Sequence, residues 1–137
     1  MHTSAARTPA PHTAIKVYPG TTKEISAVRS DVRDLLVDCP VADDVIICAS
    51  ELATNAVLHS RSGLPGGTFT VRLAISHGSF VRLDVEDNGG VWTPALADPD
   101  RHHGFDIVGA LAADWAIEGD DSGRIVSAAL TWTPQPG

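Results

Sequence analysis

One helix-forming segment constrains the fold more than any other part of this chain. Residues 43–59 begin with two acids, Asp43 and Asp44, which complement the dipole at a helix start. The residues that follow are apolar nearly all round the helix. Because other elements must cover such a helix on most sides, we expect it at the centre of a packed domain.

Two polar residues interrupt this apolar helix. Glu51 and Asn55 stand four positions apart, point the same way, and are costly to bury without partners. An Asn oxygen can ligate a hard cation such as Mg²⁺, and a nearby carboxylate can take a proton from a hydroxyl that attacks a phosphate. The alternative is that neighbouring backbone atoms satisfy both side chains, and the pair alone does not decide between the two interpretations.

A strand and a helix are predicted before this segment. Residues 14–18 form a short strand candidate that ends at Pro19-Gly20. Thr21 and Glu24 have the spacing of a capping box, which predicts the start of a helix. That helix is expected to end at Pro40 and to bury one apolar stripe, formed by Ile25, Val28, Val32, Leu35 and Leu36.

The hydrophobic period changes from helical to alternating after Gly67. Residues 68–76 and 81–85 alternate and predict a hairpin, residues 104–114 return to helical spacing, and strands are predicted at 115–118 and 125–132. Helices and antiparallel hairpins in this order predict an α+β fold, a two-layer sandwich of one mixed, mostly antiparallel sheet with helices on one face.

Length and composition predict a single domain. The chain has 137 residues and is interpreted as a disordered tail (1–13), one domain (14–133) and a short C-terminal tail (134–137). No stretch is long and apolar enough for a membrane span, and the N-terminus lacks the apolar core of a secretory signal, so a cytoplasmic location is expected. A net charge of −7 argues against direct nucleic-acid binding.

Cysteine and histidine do not form a recognisable metal or disulfide pattern. Cys39 and Cys48 are too few for a disulfide framework and are expected to be reduced thiols. His59, His102 and His103 lack the spacing of zinc ligands. No dedicated transition-metal site is predicted.

A second polar cluster stands at the end of the predicted hairpin. Asp87 follows an apolar strand and is itself followed by Asn88-Gly89-Gly90. A buried carboxylate there could accept a hydrogen bond from an exocyclic amine, and the glycines would let the backbone approach a flat ring. The alternative is an ordinary Asp-Asn-Gly turn.

A third candidate site follows a loop at residues 91–103. Gly104 begins a predicted helix, and a helix N-terminus attracts phosphate. Arg101 could contact the same anion. The alternatives are a glycine that only ends the loop and an arginine that is only solvated.

Taken in order, three motifs resemble a known family. They are Glu51-Leu52-x-x-Asn55-Ala56, Asp87-x-Gly89 and Gly104-Phe105-x-Ile107-Val108-x-x-Leu111. They resemble the N, G1 and G2 boxes of the histidine-kinase-like (GHKL, Bergerat) ATP-binding fold. Within it, the chain looks most like the anti-sigma-factor serine kinases and their stand-alone ATP-binding relatives, over residues 18–130.

The resemblance implies a role for each matching position. Asn55 would hold Mg²⁺ on the ATP phosphates, and Glu51 would be the general base for a partner's serine. Asp87 would bind the adenine amine, with Gly89 allowing the ring's approach. The phosphates would meet Arg101 and the backbone at Gly104 and Phe105, under a lid at 91–103.

The resemblance also implies partners. A protein of this type would sequester a sigma factor and phosphorylate an anti-anti-sigma (STAS-type) protein, and a homodimer is suggested. Two departures stand against transfer, since His102 and Val91 occupy positions where the family commonly has glycine. They motivate an alternative, a regulatory module that binds a nucleotide or partner without catalysis. A fragment of a two-component histidine kinase is disfavoured, because no dimerisation helix with a phospho-acceptor histidine precedes the domain.

Overall fold

The computed structural model describes residues 12–76, 79–90 and 103–132. This part of the chain contains five strands and three α-helices, with one 3₁₀ turn at Arg61–Gly63. In chain order they are β1 (His12–Pro19), α1 (Glu24–Leu35), α2 (Ala42–His59), β2 (Thr68–Ser76), β3 (Phe80–Asp87), α3 (His103–Leu111), β4 (Asp114–Asp120) and β5 (Gly123–Thr131).

The strands form one sheet in the order β1-β2-β3-β5-β4, and every neighbouring pair described is antiparallel. α2 packs against β2, β3 and β5, and it lies between α1 and α3. The helices cover one face of the sheet. The predicted α+β sandwich is therefore confirmed, and α2 is its central helix.

Strict alternation along β2, β3 and β5 builds the core. Every second residue of these strands is buried under the helices, and the intervening residues face the open side of the sheet. On that open side Arg72 Nη2 lies 2.6 Å from Glu86 Oε1. The buried apolar residues of these three strands are Phe69, Val71, Leu73, Ile75, Val81, Leu83, Val85, Val126, Ala128 and Leu130.

Both ends of α1 differ from the prediction. The predicted capping box is wrong, because the N-cap is Lys23 and its side chain makes no cap hydrogen bond. The first turn is closed by the backbone instead, where Glu24 N donates to Thr21 O at 3.0 Å. The helix ends at Leu35, before Pro40 is reached, and Asp38 then turns the chain with a φ of 66°.

Two of the predicted apolar surfaces are partly exposed. Leu35 is not covered, so the buried stripe of α1 consists of Ile25, Val28 and Val32, with Leu36 after the helix end. On α2, Ile47 and Leu58 face solvent, so one narrow strip of this helix is open. The reason is that α1, α3 and the sheet cover three sides of α2 and leave the fourth uncovered.

Several predictions concern residues outside the described ranges. These are the two tails, apart from His12 and Thr13, which belong to β1, and the loop at 91–103, apart from His103, which begins α3.

Cys39 and Cys48 are free thiols. Among the described helices, none has the length and apolar character needed to cross a membrane.

Candidate functional site

Asn55 and Glu51 lie one turn apart on the central helix α2. Asn55 is 9 % exposed, and its Nδ2 finds no hydrogen-bond partner in the part of the chain that the structure describes. An unpaired buried amide is costly, so this donor is suited to a ligand oxygen. Glu51 is half-buried and lies one turn earlier. At this i, i+4 spacing the Cβ atoms of Glu51 and Asn55 are about 5–6 Å apart.

Cys48 lies close enough to Asp44 and Glu51 to feel the charges of both carboxylates. Burial raises the pKa of the neighbouring Cys48 thiol to about 11, with help from the charges of Asp44 and Glu51. Cys48 therefore stays protonated near neutral pH and offers no thiolate nucleophile. The Glu51 carboxylate and the unpaired Asn55 amide are therefore the groups that this part of α2 can offer to a ligand.

Asp87 ends β3 with its side chain buried, at 5 % exposure. Its Oδ1 accepts a hydrogen bond from the backbone N–H of Gly89 at 2.6 Å. Burial raises the pKa of Asp87 above its usual range, and the Gly89 N–H and the charge of Arg124 offset part of this effect. A buried carboxylate with one oxygen held by the backbone can still accept a hydrogen bond from a ligand amine.

Residues 87–90, here called the Asp87–Gly90 turn, are hydrogen-bonded to the segment that follows α2. Arg61 N donates to Gly89 O at 2.7 Å, and Asn88 N donates to the buried Ser62 Oγ at 2.9 Å. From Asn55 to His59, the last residue of α2, the helix axis advances about 6 Å, and Ser60 is then extended. The Asp87–Gly90 turn is therefore fastened just beyond the end of the helix that carries Asn55.

Gly89 has a structural reason to be glycine. Its φ is +77°, and a Cβ placed on it would lie 2.3 Å from Asp121 O. Gly90 N also donates to Asp121 O at 2.8 Å. The turn therefore packs its backbone directly against the tip of the β4–β5 hairpin, in addition to any approach to a ring that the sequence predicts.

α3 begins at His103, one residue before Gly104, where the sequence predicts the helix start. The Phe105 ring is buried and stacks on Trp115, with centroids 5.4 Å apart. Phe105 therefore anchors α3 to β4 through its side chain, and its predicted contact with a ligand concerns its backbone. Arg101 and His102 lie outside the described residues.

Arg124 and Ser62 belong to this region and were not singled out by the sequence analysis. Arg124 faces the core side of β5 directly opposite Asp87, and Ser62 is fully buried beneath Asn88. A signal for Arg124 was present, because it keeps the two-residue period of Val126 and Ala128 and so places a cation on an apolar face. No comparable pattern marks Ser62.

Comparison with known proteins places this architecture in a family. A family model described as "Histidine kinase-like ATPase domain" matches residues 18–129. A comparison with curated protein sequences gives no match.

Two solved structures have the same fold. For the RsbU and RsbW domains of Rv1364c from Mycobacterium tuberculosis, the TM-score is 0.68 at 20% identity, covering 90% of this chain and 33% of that one. This chain thus spans about a third of its length. For the SiaB–SiaC complex from Pseudomonas aeruginosa, the TM-score is 0.56 at 14% identity, covering 87% of this chain and 89% of that one. Since the family model spans most of the sequence and the fold agrees, the chain belongs to the histidine kinase-like ATPase domain family, which implies a domain that binds ATP.

Proposed function

We propose that this protein is an ATP- and Mg²⁺-dependent serine/threonine protein kinase of the anti-sigma-factor type. It would hold a sigma factor inactive and phosphorylate a serine of an anti-anti-sigma (STAS-type) partner. The observation that carries the proposal is the buried Asn55 amide, whose Nδ2 has no described partner, one turn from the Glu51 carboxylate. The two neighbours of known fold, one with RsbU and RsbW domains and one a SiaB–SiaC complex, support this direction.

Each proposed role uses a group that the chain presents. The buried Asp87 carboxylate accepts a hydrogen bond from the adenine amine, which selects adenine over bases without a donor there. The first turn of α3, at Gly104 and Phe105, directs backbone N–H groups toward phosphate, and Arg101 would add a cation. Asn55 supplies the amide oxygen for Mg²⁺, which neutralises phosphate charge when bound.

Glu51 is the proposed general base. Its carboxylate is half-buried, so it borders the site and also remains reachable by a hydroxyl from another protein. It would accept the proton of the partner's serine as the serine oxygen attacks the terminal phosphate. Positioned proton transfer of this kind contributes about 10²- to 10⁴-fold in rate.

Two measurements test the proposal. The first is calorimetric titration of the protein with ATP, in Mg²⁺ and in a chelator, where binding that strengthens with Mg²⁺ is expected. The second is transfer of labelled γ-phosphate to purified STAS-type proteins. Glu51→Gln should slow transfer by about 10²- to 10⁴-fold while ATP affinity stays within about twofold. Undiminished transfer in Glu51→Gln would remove the proposed base.

A second candidate function is a regulatory module that binds ATP or a partner without transferring phosphate. The observation that favours it is the sequence before α3, where His102 replaces a glycine that the related motif commonly carries. A residue other than glycine restricts the backbone there, and transfer depends on fine positioning more than binding does. ATP binding without transfer to any STAS-type protein would support this module. Absence of ATP binding would exclude the kinase and the nucleotide-dependent module.

A further inference from the structure

Arg124 is a buried cation on an otherwise apolar strand face. It is 9 % exposed and shares the core side of β5 with Val126 and Ala128. Arginine is seldom buried to this extent without partners, because removing its charge from water is costly. The contacts of Arg124 therefore indicate why a cation occupies this buried position.

The contacts of Arg124 converge on the Asp87–Gly90 turn. Its Nη2 donates to the carbonyl oxygen of Gly90 and to Asp121 Oδ1, the latter at 3.0 Å. The Asp121 side chain is 77 % exposed, so that ion pair is screened by water and contributes little. The bond to the Gly90 carbonyl is buried, and it is the stronger link.

The register of the sheet adds a second relationship. Asp87 and Arg124 are directly paired residues on β3 and β5. The same strand pair therefore carries the carboxylate of Asp87 and the arginine that holds the backbone at Gly90. Burial disfavours the ionised form of Asp87. The positive charge of Arg124 opposes this effect and stabilises the carboxylate. Both effects act on the Asp87–Gly90 turn.

We propose that Arg124 is a positioning residue for the nucleotide base, which acts through the Gly90 carbonyl by holding the Asp87–Gly90 turn in the shape that directs Asp87 to the adenine amine. This inference rests on the proposed ATP site. It assigns Arg124 to recognition of the base and not to recognition of the phosphates, which are expected at Asn55 and α3. Arg124 itself need not touch the ligand.

The test compares a base-only ligand with the complete nucleotide. Adenosine and Mg²⁺-ATP are titrated by calorimetry into the wild type, Arg124→Met and Arg124→Lys. Arg124→Met keeps an unbranched apolar stem but loses the charge and the donors, so it should weaken the binding of adenosine and of ATP by the same factor, about tenfold or more. Arg124→Lys retains a charged donor and should recover most of the affinity for both.

A matched control lies on the opposite side of the sheet. Arg82→Met makes the same change at an exposed arginine whose partners are Asp84 and Ser127, and it should leave both affinities within about twofold of the wild type. Circular dichroism and thermal unfolding verify that each variant is folded. If Arg124→Met does not fold, Arg124→Gln replaces it, because its amide is too short to reach the Gly90 carbonyl.

The outcomes separate this inference from the proposed function. A wild type that binds neither ligand refutes the ATP site and with it the present inference. A wild type that binds both, together with a folded Arg124→Met or Arg124→Gln that binds adenosine equally well, refutes the role of Arg124 alone. Loss of ATP affinity with adenosine affinity retained also refutes it, since Arg124 would then act on the phosphates.

Discussion

Asp87 and Arg124 are paired across β3 and β5, and both residues are buried, with exposures of 5 % and 9 %. Arg124 holds the Gly90 carbonyl, Asp87 is held by the Gly89 N–H, and the charge of Arg124 offsets part of the effect of burial on the Asp87 carboxylate. Asp87 remains an acceptor for a ligand, at the cost of keeping a charge in a dry position.

The first prediction concerns the stability of the ligand-free protein. Burial raises the pKa of Asp87, so its ionised form is disfavoured in the folded state, and this cost is present at neutral pH and disappears as pH falls through the raised pKa. Asp87→Asn keeps the acceptor for Gly89 without the charge and should raise the free energy of unfolding at pH 7, measured by urea denaturation. The gain should shrink near pH 4, and a loss of stability at pH 7 would contradict the argument.

The second prediction concerns the pH dependence of base binding. Because the raised pKa of Asp87 brings protonation closer to neutral pH, adenosine affinity should begin to fall at a higher pH than an ordinary aspartate would give. Calorimetry from pH 7 to pH 4 measures this decline. In Asp87→Asn, adenosine should bind weakly and with little pH dependence over this range, and a decline that persists there would assign the effect to another group.

The third prediction concerns the metal. Asn55→Ala removes the proposed Mg²⁺ ligand, so ATP affinity should fall by about tenfold or more in Mg²⁺ and by a clearly smaller factor in a chelator, where only the Nδ2 donor is lost. Adenosine affinity should stay within about twofold. Thr54→Ala is the control, because Thr54 is the adjacent α2 residue and its hydroxyl bonds only to Ser50 O among the described contacts. Equal losses with and without Mg²⁺ would show that Asn55 does not act through the cation.

The fourth prediction separates two glycines with similar backbone angles. Gly66 has a φ of +80° and open space around it, whereas Gly89 has a φ of +77° and Asp121 O in the way of a side chain. Gly66→Ala should therefore cost about 1 kcal/mol of unfolding free energy, from backbone strain alone. Gly89→Ala should cost roughly 2–4 kcal/mol, because strain and overlap add. Equal costs in urea denaturation would show that the hairpin tip moves away freely.

The fifth prediction concerns the attachment of the edge strand β1 to α1. Tyr18 OH donates to Asp31 Oδ2 at 2.7 Å, and Lys16 Nζ lies 2.8 Å from the same oxygen. Tyr18→Phe keeps the stacking on Phe69 and loses this bond, so it should cost about 1 kcal/mol at pH 7.

The pH dependence of that cost checks its origin. Hydrogen bonds from Lys16 and then Tyr18 lower the pKa of Asp31, so the stability they contribute is present above its unfolded pKa of about 4 and is lost as pH falls through the lower folded value. The difference in unfolding free energy between wild type and Tyr18→Phe should therefore shrink in acid. A difference that is constant down to pH 2 would assign it to packing of the ring.

Much of the fold follows from the sequence alone, because its signals are local. The apolar surround of residues 43–59 and the alternation of 68–76 report which faces are buried, and the order of the three motifs indicates the family that the comparison establishes. Glu51, Asn55 and Asp87 are recognisable for the same reason, since each is a polar residue within a locally apolar pattern. Their roles toward a ligand stay predictions.

What only the tertiary structure decided depends on contacts between residues far apart in the chain. The exposed strip of α2 exists because α1, α3 and the sheet cover only three of its sides, and the need for glycine at position 89 arises from the hairpin tip at Asp121. The pairing of Asp87 with Arg124 depends on the register of β3 and β5, two strands that α3 and β4 separate along the chain. Local periodicity tells which side of a strand is buried, whereas only the packed sheet determines which buried groups meet.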